Sequence, residues 1–133
     1  MSEPAPVVLL VDDEPRILSA LRRTLRREGY VLETAENFDA AVARLEATRV
    51  DLVVSDYKMP GRSGSQLLAT VRQRWPGTRR LLLSGWTREI PPSELEAAAP
   101  DGVHAKPWDE GELKAQIREL LQTTDGAAGG PSG

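Results

Sequence analysis

Short apolar segments alternate with longer amphipathic segments along most of the chain, and this alternation constrains the fold more than any other feature. The apolar segments are short, rich in leucine and valine, and continuous, as in strands buried on both faces. Five segments have strand character, the second being more polar and suited to a sheet edge: Val7–Val11, Val31–Ala35, 51–55, 80–84 and 103–106. Strands that alternate with helical segments predict an α/β domain with a parallel sheet and helices on both faces.

Recognisable end signals delimit several of the predicted helices. Pro15 is suited to the first turn of the first helix, and Gly29 is suited to end it. Asn37 is placed to cap the second helix. Asp109, followed three residues later by Glu112, forms a capping box at the start of the last helix. These signals support the assignment of separate strand and helix units.

Two segments depart from this regular pattern. Pro91-Pro92 excludes one continuous helix over residues 86–99, so we expect a loop followed by a short helix over 93–99. The segment 123–133 is rich in glycine and small residues, which predicts a disordered tail or the start of an interdomain linker. The expected domain therefore covers residues 1–122.

Composition excludes several functional classes. The 133 residues suit one domain, and the absence of cysteine excludes disulfides, thiolate metal sites and cysteine nucleophiles. The formal net charge of −3 disfavours a nucleic-acid-coating domain. No segment approaches the roughly 20 apolar residues that span a bilayer, and residues 1–6 lack the features of a signal peptide. We therefore expect a cytoplasmic protein without direct membrane or nucleic-acid contacts.

Polar residues with complementary chemistry occupy the ends of the predicted strands. Asp12 and Asp13 follow the first strand, Asp56 follows the third, and Ser84 and Lys106 end the fourth and fifth. In a parallel sheet of this kind, ligands bind beyond the carboxyl ends of the strands. We therefore expect these five residues, which are distant in sequence, to converge on one site.

The residue types at these positions fit phosphoryl transfer. Three neighbouring carboxylates raise one another's pKa, and a hard dication such as Mg²⁺ relieves their repulsion. A lysine and a hydroxyl can hold further phosphoryl oxygens, while one carboxylate acts as the nucleophile. Each residue alone is equally suited to a cap or a turn, so the prediction depends on their joint occurrence.

Four motifs together resemble the receiver domain of bacterial two-component response regulators. They are VLLVDDEP at 8–15, DLVVSDYKMPG at 51–61, LSG at 83–85 and KPW at 106–108. The resemblance extends over about residues 6–122. It implies a flavodoxin-like, doubly wound five-stranded parallel sheet in the order 2-1-3-4-5, as in chemotaxis regulators.

The resemblance implies a role for each site residue. Asp56 would be the phosphoacceptor, and Asp12 and Asp13 would hold Mg²⁺, with Asp13 the more direct ligand. Asp56 and the backbone carbonyl of Lys58 would complete the protein ligands. Ser84 would hydrogen-bond to the phosphoryl group.

The lysine at the end of the fifth strand would complete the site. Lys106 would form an ion pair with the phosphoryl group, and the Lys106–Pro107 bond would be cis.

Three positions are candidate modulators of this activity. Val103 replaces the aromatic residue that usually lies three positions before the lysine, and we expect the valine to pack while the loop still moves. Lys58 and Trp86 occupy the positions that flank the path of the hydrolytic water in the family. Trp86 would either shield the acyl phosphate or simply cover the core.

Other features have structural interpretations. We expect His104, the one histidine, to be a packed or hydrogen-bonded strand residue. The arginines of the first helix form a solvated face interleaved with Glu28, on the helix where partners dock in the resembling family. The Pro91-Pro92 region is expected to be remodelled, so the usual dimer is not assumed and a phosphorylation-linked homodimer stays open.

The sequence thus predicts a signalling switch, not a turnover enzyme, that accepts a phosphoryl group on Asp56 from a sensor histidine kinase or a histidine phosphotransfer protein. Its output would lie in a domain in cis or in a docking protein in trans. A Mg²⁺-dependent phosphohydrolase with an aspartyl nucleophile is one alternative, although Lys58 stands where such enzymes have a second aspartate. A non-phosphorylated pseudo-receiver is the other.

Overall fold

The fold is a five-stranded parallel sheet in the order β2-β1-β3-β4-β5, as predicted. The computed structural model describes residues 4–85 and 90–129, with the backbone alone from residue 123 onward. The elements in chain order are β1 (Val7–Val11), α1 (Pro15–Leu25), β2 (Val31–Ala35), α2 (Phe38–Ala47), β3 (Leu52–Asp56), α3 (Gly64–Arg74), β4 (Arg79–Ser84), α4 (Pro92–Ala98), β5 (Gly102–Ala105) and α5 (Glu110–Gly129).

Two apolar layers cover the sheet, one on each face, because successive strand residues point to opposite sides. On one face, Leu9 and Val53 belong to a layer with α2, α3 and the buried Ala98 of α4. On the other face, Leu10 and Val54 pack with α1 and α5. The helices thus lie on both faces of the sheet, and the doubly wound prediction is confirmed.

The register of the central strands determines where the site forms. β1 and β3 pair in parallel with Val11 opposite Ser55, so the next residue of each strand, Asp12 and Asp56, emerges at the same edge. β3 is buried along its whole length. The first carboxylates of the predicted constellation are therefore neighbours because of strand register.

Most predicted element ends lie within one or two residues of the observed ends. α1 is followed by a turn that finishes at Gly29, whose φ of 90° is the left-handed conformation that glycine adopts readily. The short α4 begins at Pro92 and is followed by Ala99 in the left-handed region. Asp109 caps α5, because its Oδ1 accepts the Glu112 N–H at 2.8 Å.

α5 continues to Gly129, beyond the expected domain end at residue 122, and the assignment of residues 123–133 to a tail or an interdomain linker stays a prediction. Extending an existing helix forms one hydrogen bond for each residue fixed, and no proline precedes residue 131 in this segment. Residues 130–133 lie outside the described part of the chain. None of the described helices combines the length and the apolar character needed to cross a membrane.

Candidate functional site

Asp12 is held rigidly at the end of β1. Its backbone N–H donates to the Ala35 carbonyl at 3.1 Å, which extends the pairing of β1 with β2. Its Oδ1 accepts the Glu14 N–H at 2.8 Å, just before α1 begins at Pro15. The side chain is completely buried, so one oxygen serves the local turn and the other faces the site.

Lys106 joins the two buried carboxylates. Its Nζ lies 3.1 Å from Asp12 Oδ2 and 3.0 Å from Asp56 Oδ1. The Lys106 N–H donates to the Ser84 carbonyl at 3.0 Å, and the Lys106–Pro107 bond is cis, as predicted. Ends of three strands, β1, β3 and β5, thus meet at one ammonium group.

Burial dominates the electrostatics of the site. Desolvation raises the pKa of both Asp12 and Asp56. The Glu14 N–H that donates to Asp12, and the hydrogen bonds from Lys106 to both carboxylates, only partly oppose this effect. Burial lowers the pKa of Lys106, but its hydrogen bonds to Asp56 and Asp12 outweigh burial, and the net shift is upward. The lysine therefore stays charged at neutral pH, and the carboxylates are held in an energetically unfavourable cluster.

A metal ion fits this cluster. Carboxylate oxygens of Asp12, Asp13 and Asp56 lie within 4.8 Å of one another, and Asp13 is the most accessible of the three. Three carboxylates face one ammonium group, so negative charge remains after the lysine is counted. Oxygen ligands of this kind suit hard divalent cations. The predicted convergence of Asp12, Asp13, Asp56 and Lys106 is therefore observed.

The site opens to solvent through a cleft of about 400 Å³. Its lining includes Asp13, Asp56, Lys58, Ser84 and Lys106. Ser84 is the last residue of β4 and is 3% exposed, so this residue lies at the base of the cleft and not on the surface. The five residues predicted from strand ends therefore line one connected space or contact it directly.

The candidate modulators differ in how well the structure defines them. Lys58 is exposed at the cleft, and Val103 is 38% exposed on β5, so the valine is not packed into the core. The expectation that Val103 packs is therefore corrected. This difference arises because β5 is the edge strand and its odd-numbered residues face outward. Trp86 lies outside the described residues, and its shielding role stays a prediction.

His104 has the structural role that we expected. Its Nε2 is hydrogen-bonded to Gln116 Oε1 of α5, on the face of β5 opposite Val103. The Gln116 side chain also donates to the Asp101 carbonyl at 3.4 Å. These contacts connect β5 to α5 and lie outside the cleft residues.

Gly64 is a site-supporting residue that the sequence patterns did not single out. A Cβ at this position would lie 2.0 Å from the Asp56 carbonyl oxygen and 2.9 Å from Ser55 Oγ. The Gly64 N–H also donates to the Tyr57 carbonyl at 2.7 Å. Glycine is therefore required for α3 to approach the backbone that carries Asp56. The available signal was a glycine at the first position of the predicted helix, directly after the capping Ser63.

Glu94 is the second residue that sequence reasoning missed. Its Oε1 accepts hydrogen bonds from Tyr57 Oη at 3.1 Å and from Ser65 Oγ at 2.6 Å. Tyr57 is adjacent to Asp56, whereas Glu94 is in the first turn of α4. No spacing rule connects residues this far apart in sequence.

Comparisons with known proteins agree with this arrangement. A family profile described as the response regulator receiver domain matches residues 8–118. The hydrogenase transcriptional regulatory protein HoxA of Cupriavidus necator is 38% identical over 124 residues, which cover 92% of this chain and 25% of HoxA. The chain therefore spans about a quarter of that relative's length.

Solved structures show the same fold. The signal receiver domain of an HD domain-containing protein from Pseudomonas fluorescens superposes with a TM-score of 0.85 at 32% identity, covering 98% of this chain and 97% of that one. The response regulator TrrA of Thermotoga maritima, solved in complex with Mg²⁺-BeF, gives 0.79 at 31% identity, covering 86% and 98%. This chain belongs to the family of response regulator receiver domains.

Proposed function

We propose that this domain accepts a phosphoryl group on Asp56 from a phosphohistidine of a sensor kinase or a histidine phosphotransfer protein. The observation that supports this best is the Lys106 ammonium, which lies 3.0 Å from Asp56 Oδ1 beside the Asp12 and Asp13 carboxylates. This arrangement provides a nucleophile, a fixed cation and a metal-binding set within one cleft. The receiver family to which the chain belongs supports the same assignment.

In the proposed transfer, a carboxylate oxygen of Asp56 forms a bond to phosphorus while the phosphorus–nitrogen bond of the phosphohistidine breaks. The departing imidazole nitrogen keeps the electron pair and takes a proton, so that neutral histidine is regenerated. Asp12, Asp13, Asp56 and the Lys58 carbonyl would hold Mg²⁺, which when bound would neutralise the phosphoryl oxygens.

Lys106 and Ser84 complete the proposed mechanism. The Lys106 ammonium loses its attraction to Asp56 as that carboxylate becomes an acyl phosphate, and it pairs with a phosphoryl oxygen instead. The hydroxyl of Ser84, a residue at the base of the cleft, hydrogen-bonds to another oxygen. Added charge at Asp56 therefore changes the contacts of the loops after β3 and β4.

The phosphodonor docks, in this proposal, beside α1. A cleft of about 510 Å³ runs between α1 and the segment after β5 and includes Ile17, Ala20, Pro107 and Trp108 in its lining. Lys106 lines both this cleft and the acidic one. A protein surface seated there would bring its phosphohistidine next to Asp56.

We further propose that the domain is a cytoplasmic switch and not a turnover enzyme. Lys58 stands two residues after Asp56, where aspartyl-nucleophile phosphohydrolases have a second aspartate to act on the leaving group. An exposed lysine lacks that acid function, so the acyl phosphate is expected to persist and to change a docking surface. The output would come from a further domain, a partner protein or a phosphorylation-linked dimer.

The central experiment uses a small phosphodonor such as phosphoramidate, with Mg²⁺, and follows phosphate incorporation by intact-protein mass spectrometry. We expect one phosphoryl group per chain in the wild type and none in Asp56→Asn. Chelation of Mg²⁺ or the Asp13→Asn variant should reduce incorporation strongly. Phosphate that persists in Asp56→Asn, or that is indifferent to Mg²⁺, would refute the proposal.

Two further measurements separate the alternatives. Multiple turnovers of a phosphodonor at steady state would indicate a phosphohydrolase. A wild-type protein that incorporates no phosphate would indicate a pseudo-receiver. The lifetime of the acyl phosphate tests the modulators, since Trp86→Ala and Lys58→Ala should shorten it if these side chains restrict water. An unchanged lifetime in Trp86→Ala would assign that tryptophan to packing alone.

A further inference from the structure

The Glu94 carboxylate accepts hydrogen bonds from two elements next to Asp56. Tyr57 Oη reaches Glu94 Oε1 at 3.1 Å from the segment after β3, and Ser65 Oγ reaches the same atom at 2.6 Å from α3. Ser65 is 2% exposed, so its hydroxyl is fixed inside the protein. Hydrogen bonds to a charged acceptor are stronger than neutral ones. One oxygen therefore joins three separate segments.

The Tyr57 side of this junction is tightly coupled to Asp56. The Tyr57 N–H donates to the Leu83 carbonyl at 2.8 Å, and the Tyr57 carbonyl accepts from Gly64 at 2.7 Å. The backbone next to Asp56 therefore has little freedom to move by itself. The Tyr57 side chain connects this backbone to Glu94 through the hydrogen bond from its hydroxyl group.

The α4 side of the junction is held differently at its two ends. Arg80 donates from Nε to the Ala98 carbonyl at 3.0 Å and from Nη2 to the Ala99 carbonyl at 2.8 Å. Arg72 Nη1 lies 3.1 Å from the Glu96 carbonyl. These contacts anchor the C-terminal end of α4 to β4 and α3, whereas the Glu94 side chain holds the first turn.

We propose that Glu94 is a positioning residue that transmits the phosphorylation state of Asp56 to α4 through its hydrogen bonds to Tyr57 and Ser65. The inference rests on the proposed phosphorylation of Asp56 and adds the residues that carry the change outward. With its C-terminal end anchored by Arg80, α4 responds by moving its first turn. The helix then presents a different surface to a partner.

The test is hydrogen–deuterium exchange of the peptide that covers residues 90–99, measured with and without beryllofluoride and Mg²⁺, a stable substitute for the phosphoryl group. We expect the wild type to change its exchange in this peptide on addition. In Glu94→Ala the change should fall to less than half. Glu94→Gln keeps an oxygen acceptor and should retain most of the response.

Glu96→Ala is the matched control, because Glu96 is an exposed glutamate on the same helix, two residues away. It should respond as the wild type does. Tyr57→Phe and Ser65→Ala each remove one donor and should each weaken the response. These two variants keep the test decisive if Glu94→Ala unfolds.

Two outcomes among the Glu94 variants overturn the inference. One is a Glu94→Ala response equal to that of the wild type, and the other is a Glu94→Gln response as weak as that of Glu94→Ala. Phosphate incorporation from phosphoramidate is measured on the same proteins. If the wild type incorporates phosphate and α4 shows no response, this inference fails while the proposed function stands. If the wild type incorporates none, the proposed function itself fails.

Discussion

The helices α1 and α4 are held in the structure by different forces. α1 buries Leu18, Leu21 and Leu25 against the sheet. The shorter α4 buries only Ala98, with Leu95 partly buried, and is otherwise held by the polar contacts of Glu94, Arg72 and Arg80 described above. A shift of a helix with a large buried apolar face costs free energy in proportion to the area exposed, whereas polar contacts can be exchanged for hydrogen bonds with water at a small net cost. α1 is therefore a rigid frame and α4 an adjustable element.

The largest expected effect is on the frame. Leu21→Ala removes a fully buried side chain, and we expect it to lower the free energy of unfolding by about 2–5 kcal/mol. Leu95→Ala should cost less than half as much, because Leu95 is only partly buried. Urea unfolding of both variants measures the two losses of unfolding free energy. Equal losses would contradict the view that α1 depends more on apolar burial than α4 does.

The next effect concerns the anchored end of α4. Arg80→Met keeps the aliphatic part of the side chain and removes the hydrogen bonds to Ala98 and Ala99, so we expect a loss of about 1–2 kcal/mol. Faster hydrogen exchange should be confined to residues 96–101. The matched variant Arg72→Met removes contacts from a more exposed arginine and should cost less. A loss spread evenly over the domain would contradict a local anchor.

A third variant, at Asp56, is expected to stabilise the protein. Because burial raises the pKa of Asp56, the folded protein binds protons more readily than the unfolded chain, and stability falls as the pH rises through that raised pKa. Asp56→Asn should remove this loss and stabilise the metal-free protein by about 1 kcal/mol at neutral pH.

Thermal unfolding across pH tests this prediction. The advantage of Asp56→Asn should vanish at pH values below the ordinary range of an aspartate, where the carboxyl is protonated in both states. Added Mg²⁺ should raise the midpoint of the wild type more than that of the variant. A constant advantage at every pH would show that packing, not charge, distinguishes the two proteins.

The smallest effect is expected for the ion pair between α5 and the turn that follows α1. Arg118 of α5 forms a bidentate pair with Glu28, at 2.6 and 3.0 Å, and more than half of the arginine side chain is exposed. Surface pairs contribute little, so Arg118→Ala should change the unfolding midpoint barely above error. The Arg118 guanidinium lowers the pKa of Glu28, so any contribution is present at neutral pH and lost in acid. A large loss would show that α1 also depends on polar contacts.

The sequence predicted the strands and α1 better than it predicted the contacts of α4. The strands and the convergence of Asp12, Asp56 and Lys106 follow from apolar runs and from polar residues at strand ends, whereas the order of the sheet followed from the family resemblance. Pro15 and Gly29 marked the limits of α1 and its final turn because both act through their own backbone. Such signals are local, and they can be read without knowing what packs nearby.

The contacts around α4 could not be predicted in the same way. Glu94 and Tyr57 are 37 residues apart, and their hydrogen bond depends on how α4 docks against α3. Gly64 has no recognisable motif, since its importance comes from the 2.0 Å approach that a Cβ would make to Asp56. Val103 was expected to pack, but the edge position of β5 leaves it exposed. Each of these depends on three-dimensional proximity.

The ammonium of Lys106 has a consequence for protein synthesis. It meets Asp12 across 94 residues and Asp56 across 50, so the site contains the counter-charge only after β5 has been made. During synthesis, the ribosome adds both aspartates to the growing chain before it adds the lysine. A chain still being translated short of this lysine holds an acidic pair without its cation. The acidic cluster therefore gains its counter-charge only late in synthesis, after the first four strands have been made.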